Sequence, residues 1–353
     1  TTAANNTAVG FSSLQANTTG TKNSALGTLS LDANTTGVQN TGLGYASLSG
    51  NTTASNNTAV GFQTLFANTT GASNVAIGVN ALLANTTASN NTALGQAALS
   101  ANTTGSINTA VGISAGAAVT TGSNNTFVGG LAGDATTTAS NNTAVGKSAL
   151  SANTTGISNT AIGSGALLSN TTAANNTAVG VNSLLANTTG AENVAVGSSA
   201  LDANTVGQRN VAMGHLSLSA DTTGRSSVAI GWHALTSQNF TGNNHTYNTA
   251  VGESAGAAVT TGTRNTLIGG LTGDSLTTGE KNVAVGTGAL SSDDVGSRST
   301  AVGDSALAAQ NFASATDSYN TAVGNNAGFS VTTGVNNTLI GGLTGDALTT
   351  GDF

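Results

Sequence analysis

A single pattern of apolar and polar residues recurs along the chain. An alternating triplet of the Thr-Ala-Val type precedes a glycine, a Leu follows four residues later, and a polar Ala-Asn-Thr-Thr run completes the unit. The closing glycine recurs in twenty copies, every 17 residues except for the steps 231 to 252 and 303 to 324, which are 21 residues long. Helical periodicity is absent, and Gly and Asn recur too often for sustained helices. We therefore expect residues 1–353 to be one repeat array.

This repeat predicts an all-β fold, a parallel β-solenoid (β-roll) of about twenty 17-residue coils. Helical repeats need about 33–47 residues per unit, and collagen needs Gly at every third position. The apolar triplet predicts one short strand per coil, and the Leu-x-Ala-Asn-Thr-Thr run predicts a second strand.

Residues at the same place in successive repeats form columns. The residue before the glycine is apolar in all twenty copies (Val9, Leu26 and Ile77 are examples), and the fourth residue after it is Leu in fourteen. These two columns are predicted to form the core. Asn lies four residues before the glycine in eighteen copies, where stacked Asn side chains can form ladders along the axis. The glycine itself is expected to need a positive φ or a close backbone approach.

The middle residue of the triplet is Ala in sixteen copies. Its side chain points away from the face shared by its two neighbours. A persistently small apolar residue indicates that something packs against it, either a second wall of the same coil or another copy of the chain.

Composition narrows the function classes. Only 6% of the residues are charged and the net charge is −7, whereas globular domains carry roughly 25% charged residues. Nucleic-acid binding needs a cationic surface, so it is not expected. Cys is absent, which excludes disulfides, thiolate metal sites and cysteine nucleophiles. No apolar run approaches the ~18–20 residues of a membrane span, so membrane insertion is not expected.

The repeats resemble two related kinds of fibre. The segments Asn74 to Gly78, Asn193 to Gly197 and Ser227 to Gly231 resemble the head repeats of trimeric autotransporter adhesins, and the full unit beginning at Asn142 is similar to arrays in phage tail fibres. The resemblance implies a parallel homotrimer with an extracellular or virion location and a role in attachment. The family's membrane anchor, coiled-coil stalk and chaperone domain are not in this sequence, so virion fibre and cell-surface adhesin both stay open. Because the chain starts and stops in mid-repeat, we expect it to be an excerpt of a longer fibre.

Some fragments resemble catalytic or metal-binding motifs but lack the residues or the spacing that these motifs require. Gly146-Lys147-Ser148 ends like a phosphate-binding loop, but the glycine that this loop needs five places earlier is Asn141. His215 and His233 lie one register apart in adjacent coils and are expected to face opposite ways. We therefore predict no enzymatic activity, no catalytic residues, no cofactor and no metal site.

Two segments depart from the repeat. The first insertion (residues 238–247) and the second insertion (residues 310–319) are each followed by a pair of coils in which Gly replaces the core Leu. Insertions in solenoids map to loops on one face, often the binding face. The candidate receptor-binding residues are Trp232, His233, Phe240, His245, Tyr247, Phe312 and Tyr319. Alternatively, the aromatic rings fill the space left by Gly256 and Gly328, or pack between chains.

The function predicted from the sequence is the structural shaft of an extracellular or virion fibre with an adhesive role. Its partners would be copies of itself and a cell-surface glycan or protein receptor. The alternative is a monomeric ice- or surface-binding β-solenoid, because Thr pairs such as Thr18-Thr19 and Thr103-Thr104 could form a flat face.

Overall fold

The computed structural model describes residues 2–242 and 244–351. Thr1, Asn243, Asp352 and Phe353 lie outside the described residues, and with them both chain ends and one residue of the first insertion. The fold is an all-β parallel β-solenoid of about twenty coils, and the described residues contain no helix. The predicted fold class is therefore confirmed. The chain divides into two compact units, residues 1–175 and residues 176–353.

The first unit contains one three-residue strand per coil, and successive strands within the unit pair in parallel. Equivalent residues of successive repeats are register partners, as Ala8 is to Ala25. The strands are β1 (Thr7–Val9), β2 (Ser24–Leu26), β3 (Thr41–Leu43), β4 (Thr58–Val60), β5 (Val75–Ile77), β6 (Thr92–Leu94), β7 (Thr109–Val111), β8 (Thr126–Val128), β9 (Thr143–Val145) and β10 (Thr160–Ile162).

The second unit continues this pattern and adds a two-residue pair at the second insertion. Val228 pairs with Thr249, and Thr300 pairs with Thr321, so both insertions leave the coil without changing its register. The strands are β11 (Thr177–Val179), β12 (Val194–Val196), β13 (Val211–Met213), β14 (Val228–Ile230), β15 (Thr249–Val251), β16 (Thr266–Ile268), β17 (Val283–Val285), β18 (Gly296–Ser297), β19 (Thr300–Val302), β20 (Thr316–Asp317), β21 (Thr321–Val323) and β22 (Thr338–Ile340).

The core is built from the Ala and Leu columns. Ala93 and Leu99 are fully buried, whereas Leu94, the residue before the glycine, is 45% exposed. The prediction that the residue before the glycine forms the core is therefore wrong, and the prediction for Leu is confirmed. Strand alternation allows only one face of the triplet to point inward, and this narrow core accommodates the methyl group of Ala. The Ala column accordingly packs against the opposite wall of its own coil.

The predicted second strand is also wrong, because the run after the glycine is a tight turn. Leu29 and Leu31 both have left-handed backbones, with φ of 57° and 53°. Two such residues separated by one position interrupt the extended alternation that a strand requires. The turn still stacks on the next coil, since Leu31 N–H donates to the Ser47 carbonyl at 3.0 Å. Burial of the Leu31 side chain offsets the cost of its backbone conformation.

The closing glycine has both properties expected of it. Gly146 has φ +135°, and a Cβ built on it would lie 2.6 Å from the carbonyl carbon of Gly163 in the next coil. That φ lies in a region adopted almost only by glycine, and the clash would be with backbone rather than with a movable side chain. Each coil can therefore stack closely on the next only if this residue has no side chain.

The Asn column forms the predicted ladder inside the coil. Asn40 N–H donates to Asn23 Oδ1 at 2.9 Å, and Asn40 Nδ2 donates to the Ala54 carbonyl at 2.8 Å. A second Asn column, seven residues after the glycine, adds a ladder in which Asn51 Nδ2 donates to Asn34 Oδ1 at 2.9 Å. These amides are buried, and a buried polar group is tolerated only when it is hydrogen-bonded.

The coils in which Gly replaces Leu are filled by a larger residue in the Ala column. Phe127 is fully buried, and its ring lies where side chains on Gly116 and Gly133 would otherwise project. Leu267 lies in the same way against Gly256 and Gly273, as Leu339 does against Gly328 and Gly345. One large side chain therefore replaces two Leu side chains.

Candidate functional site

The first insertion is anchored by a buried hydrogen-bond network. Gln238 Nε2 donates to Asp221 Oδ2 at 2.6 Å and to Ser227 Oγ at 2.9 Å. Its Oε1 accepts from Asn248 Nδ2 at 2.9 Å. The N–H of Gly224 donates to Asp221 Oδ1 at 2.9 Å. The side chains of Gln238, Asp221, Ser227 and Asn248 are all buried, so the base of the insertion is fixed by satisfied polar contacts.

The second insertion carries the same network at equivalent positions. Gln310 Nε2 donates to Asp293 Oδ2 at 2.6 Å and to Ser299 Oγ at 2.7 Å. Gln310 Oε1 accepts from Asn320 Nδ2 at 2.8 Å, and Gly296 N–H donates to Asp293 Oδ1 at 2.9 Å. The two insertions therefore share their anchoring as well as the residues at their two ends.

Sequence reasoning missed this network although its signal was present. Ser227 and Ser299 are the two exceptions in the Asn column. The second Asn column has matching exceptions on either side of each Ser. Asp221 precedes Ser227 and Gln238 follows it, and Asp293 precedes Ser299 and Gln310 follows it. The Gln amide reaches the Ser hydroxyl from the neighbouring column, and the small Ser leaves room for it. Coordinated exceptions in two columns are the pattern that predicts such an anchor.

The anchoring carboxyls make stability depend on pH. Burial raises the pKa of Asp221 and Asp293 above the ordinary Asp value, while hydrogen bonds from Gln and backbone N–H groups partly oppose this effect. The folded state then holds these protons more tightly than the unfolded chain does. The resulting stabilisation is complete below the ordinary Asp pKa and is lost as the pH rises through the raised pKa.

We therefore expect the denaturant midpoint of the wild-type chain to be higher near pH 4 than near pH 7. The double variant Asp221→Asn, Asp293→Asn lacks both titrating groups, so its midpoint should change less between these two pH values. Denaturant titrations of both proteins at the two pH values measure the difference. A wild-type midpoint that falls on acidification more than that of the variant would contradict this account.

The structure divides the aromatic residues of the insertions into two groups. Phe240 and Phe312 are buried, at 7% and 5% exposure, whereas Tyr247 and Tyr319 are each 53% exposed. Tyr247 stacks on the exposed ring of His245, with ring centroids 5.1 Å apart. The tyrosines and His245 thus offer accessible rings, and the two Phe residues do not.

The alternative that these rings fill the space at Gly256 and Gly328 is wrong. The side chains nearest to a Cβ built on Gly256 are Leu267, Leu235 and Val259. The buried Phe240 lies instead at the base of its insertion, where its carbonyl accepts from the Thr223 hydroxyl at 2.5 Å. Its burial therefore belongs to the anchor of the insertion.

The residues upstream of the first insertion form a small ring cluster. Trp232 is 50% exposed, and its ring centroid lies 3.9 Å from that of the half-buried His233. The centroids of His215 and His233 are 6.1 Å apart, so the expectation that they face opposite ways is wrong. The two rings meet although His215 is the first and His233 the second residue after the glycine of its coil. In this turn, successive side chains do not point to opposite faces as they do in a strand. Among the described residues, no group of three or more His, Cys, Asp or Glu could hold a metal ion.

A polar cleft lies between the insertions in the second unit. Its larger cavity, about 540 Å³, is bounded at one end by Phe240 and His245 and contains Arg264. The smaller, about 370 Å³, contains Lys281, Arg298 and Asp317. Both cavities are lined by Thr261 and Glu280, so they adjoin.

The Thr pairs use part of their hydrogen-bonding capacity within the chain. In the first residue of each pair, the hydroxyl donates to a carbonyl of the next coil, as Thr35 does to Thr52 at 3.1 Å and Thr86 does to Thr103 at 3.2 Å. These hydroxyls are therefore engaged along the coil stack rather than directed only at the surroundings.

Across the described residues, no helix is both long and apolar enough to cross a membrane. No protein-family model matches the chain, and a search of curated proteins finds no match.

Proposed function

We propose that this chain is the non-catalytic shaft of an extracellular or virion fibre that serves in attachment and assembles as a parallel homotrimer. The single observation that carries the proposal is the apolar outer face of the short strands. The outward residue before the glycine is apolar in every coil, and many of these side chains are exposed: Val9, Leu26, Leu43, Ile77, Leu94, Ile162, Met213, Ile268, Val323 and Ile340.

In the first unit this face is widened by the residue after the glycine. Phe11 is 76% exposed, and Tyr45 and Phe62 are each 46% exposed. The rings of Tyr45 and Phe62 stack on each other with centroids 5.3 Å apart. Large exposed apolar patches mark interaction surfaces in soluble proteins, and this one recurs with the period of the coil.

A second copy of the chain is the partner that fits such a face. Its own outer face has the same period, so parallel chains can match one apolar residue per coil along their length. With only 6% charged residues, little like-charge repulsion opposes this association. The number three comes from the resemblance to trimeric adhesins and tail fibres, which also supports the extracellular location and the attachment role.

Labelling of the intact source tests this function. Antibodies against the full chain should decorate surface filaments on intact virions or cells, and their Fab fragments should reduce attachment to the target surface. Label on virions or on cells decides between the two origins. Label that appears only after the particles or cells are broken open would contradict the proposal.

A further inference from the structure

One surface column in the second unit has an unusual composition. Counting one residue per coil, the position before the buried Asn column reads Tyr247, Arg264, Lys281, Arg298 and Tyr319. The backbone of each of these positions is hydrogen-bonded to the coil before it: Lys281 N–H donates to the Thr263 carbonyl and Arg298 N–H donates to the Glu280 carbonyl, both at 3.0 Å. We call these five residues the tyrosine–cation column.

The column concentrates the scarce positive charge of the protein. Five of the seven Lys and Arg residues lie between residues 209 and 298, and three of them occupy consecutive coils in this column. At a coil spacing of ~4.8 Å, the two tyrosines bracket the cations over a span of about 19 Å. The three cations line the two cavities between the insertions, so the middle of the column forms one side of the cleft.

The backbone conformation at this position of the repeat does not explain the charge of the column. All five residues have left-handed backbones, with φ between 51° and 61°. Asn, which tolerates this conformation best after Gly, holds the same place in coils such as those of Asn56 and Asn90. Exposed ion pairs contribute little to stability, so ion pairing gives little reason for three cations in consecutive coils.

Acidic neighbours orient two of the cations and leave the third available. Asp317 pairs with Arg298 at 2.9 Å, and Glu280 lies 3.7 Å from Lys281. The Arg298 guanidinium also lies 5.6 Å from the centroid of the Tyr319 ring. Within the described residues, Arg264 makes no ion pair, and it is exposed in the larger cavity.

We propose that the tyrosine–cation column binds a polysaccharide of carboxylated sugars. This inference rests on the attachment role proposed above and names the chemical class of the receptor. Exposed tyrosines at both ends can stack on sugar rings. The three cations can meet carboxylates on successive sugars, and guanidinium groups pair with carboxylates in bidentate geometry. Thr261, Thr263 and Thr278 in the cleft supply hydroxyls for the sugar hydroxyls.

A phosphate polymer would meet the same cations and the same carboxylates of Glu280 and Asp317. The Thr hydroxyls of the cleft favour a ligand that is rich in hydroxyl groups, and the comparison with DNA in the test below decides between the two classes of polymer.

The test measures binding of the full chain to polygalacturonate and polysialate, with dextran as the neutral probe. We expect saturable binding to a carboxylated polymer that weakens with added salt, and little binding to dextran. The variant Arg264→Asn, Lys281→Asn, Arg298→Asn should lose about tenfold or more in affinity. Asn suits the left-handed backbone, so this variant should remain folded, as circular dichroism can verify.

A control removes two positive charges from the same position of the repeat outside the cleft. The variant Lys22→Asn, Arg209→Asn should bind as the wild type does. The variant Tyr247→Asn, Tyr319→Asn should lose affinity with its charge unchanged, which separates sugar stacking from charge attraction.

Three outcomes would overturn the inference: equal binding to dextran, unchanged binding by the three-cation variant, or equally tight binding of poly-glutamate or DNA. The cleft lies within one unit of a single chain, so polysaccharide binding can be measured whether or not the chain forms a homotrimer. If surface labelling and attachment hold while the cleft variants behave as the wild type does, the sugar assignment fails and the fibre function stands.

Discussion

Replacing Ala93 with glutamate should strongly destabilise the first unit. Ala93 is fully buried in β6, where its register partners are Ala76 and Ala110. A carboxylate at this position has no counter-charge and no room, and an uncompensated buried charge costs about 3–5 kcal/mol. Total stabilities are only about 5–15 kcal/mol, so the variant should lose a large share of its free energy of unfolding.

The matched control adds the same charge at an exposed position of the same unit. Thr104 is exposed, and Thr104→Glu should change stability by no more than about 0.5 kcal/mol. Guanidinium denaturation followed by circular dichroism compares the two variants with the wild type. Similar midpoints for Ala93→Glu and Thr104→Glu would show that the Ala column does not face the core.

Truncating Phe127 to alanine should destabilise the chain by about 3–5 kcal/mol. Its ring occupies the space above both Gly116 and Gly133, so its removal leaves a cavity that two coils share. The shift in denaturant midpoint measures the loss.

Restoring the ordinary coil should rescue this variant. Gly116 and Gly133 have φ of 59° and 57°, close to the 50° and 56° of Leu99 and Leu150 at the same place in neighbouring coils. Adding Gly116→Leu and Gly133→Leu to Phe127→Ala should therefore recover most of the lost stability. In the wild-type background Gly133→Leu should destabilise, because the new side chain would collide with the Phe127 ring. A triple variant no more stable than Phe127→Ala would refute the compensation.

The period of the repeat was enough to predict the solenoid, the buried Leu column, the Asn ladder and the close contact at the closing glycine. The period did not show which residues of the triplet point into the core and which point outward. Val and Ala are both apolar, and hydrophobicity alone favoured the larger residue, Val, for the core. The width of the coil decides the question, because the fully buried Leu99 from the turn shares the core with the methyl group of the fully buried Ala93. Core width is a property of the assembled coil rather than of any one repeat.

The change in repeat length is enough to find the insertions in the sequence, but the sequence alone does not separate their buried residues from their exposed ones. Phe240 and Tyr247 are both aromatic, and only the anchor formed by Asp221 and Gln238 makes the first an inward residue and the second an outward one. The tyrosine–cation column escaped notice because its members are 17 or 21 residues apart. They become neighbours only after the coils are stacked in register.

The central claim is that copies of the chain associate through the apolar outer face of the strands. Its most direct test is the mass of the full chain in solution by sedimentation equilibrium, for three proteins. The first is the wild type, and the second carries Leu26→Glu, Leu94→Glu and Ile162→Glu on the outer face, where these side chains are 50%, 45% and 40% exposed. The control carries Thr36→Glu, Thr104→Glu and Thr155→Glu on another exposed column.

We expect the wild type and the Thr control to have three times the 33.8 kDa mass of one chain. The outer-face variant should be a folded monomer, because glutamate at an exposed position leaves the core intact and opposes only association. A wild-type chain that sediments as a monomer would contradict the account, and thermal hysteresis in that monomer would favour the ice-binding alternative. A trimer that survives the outer-face substitutions would show that the copies meet through another surface.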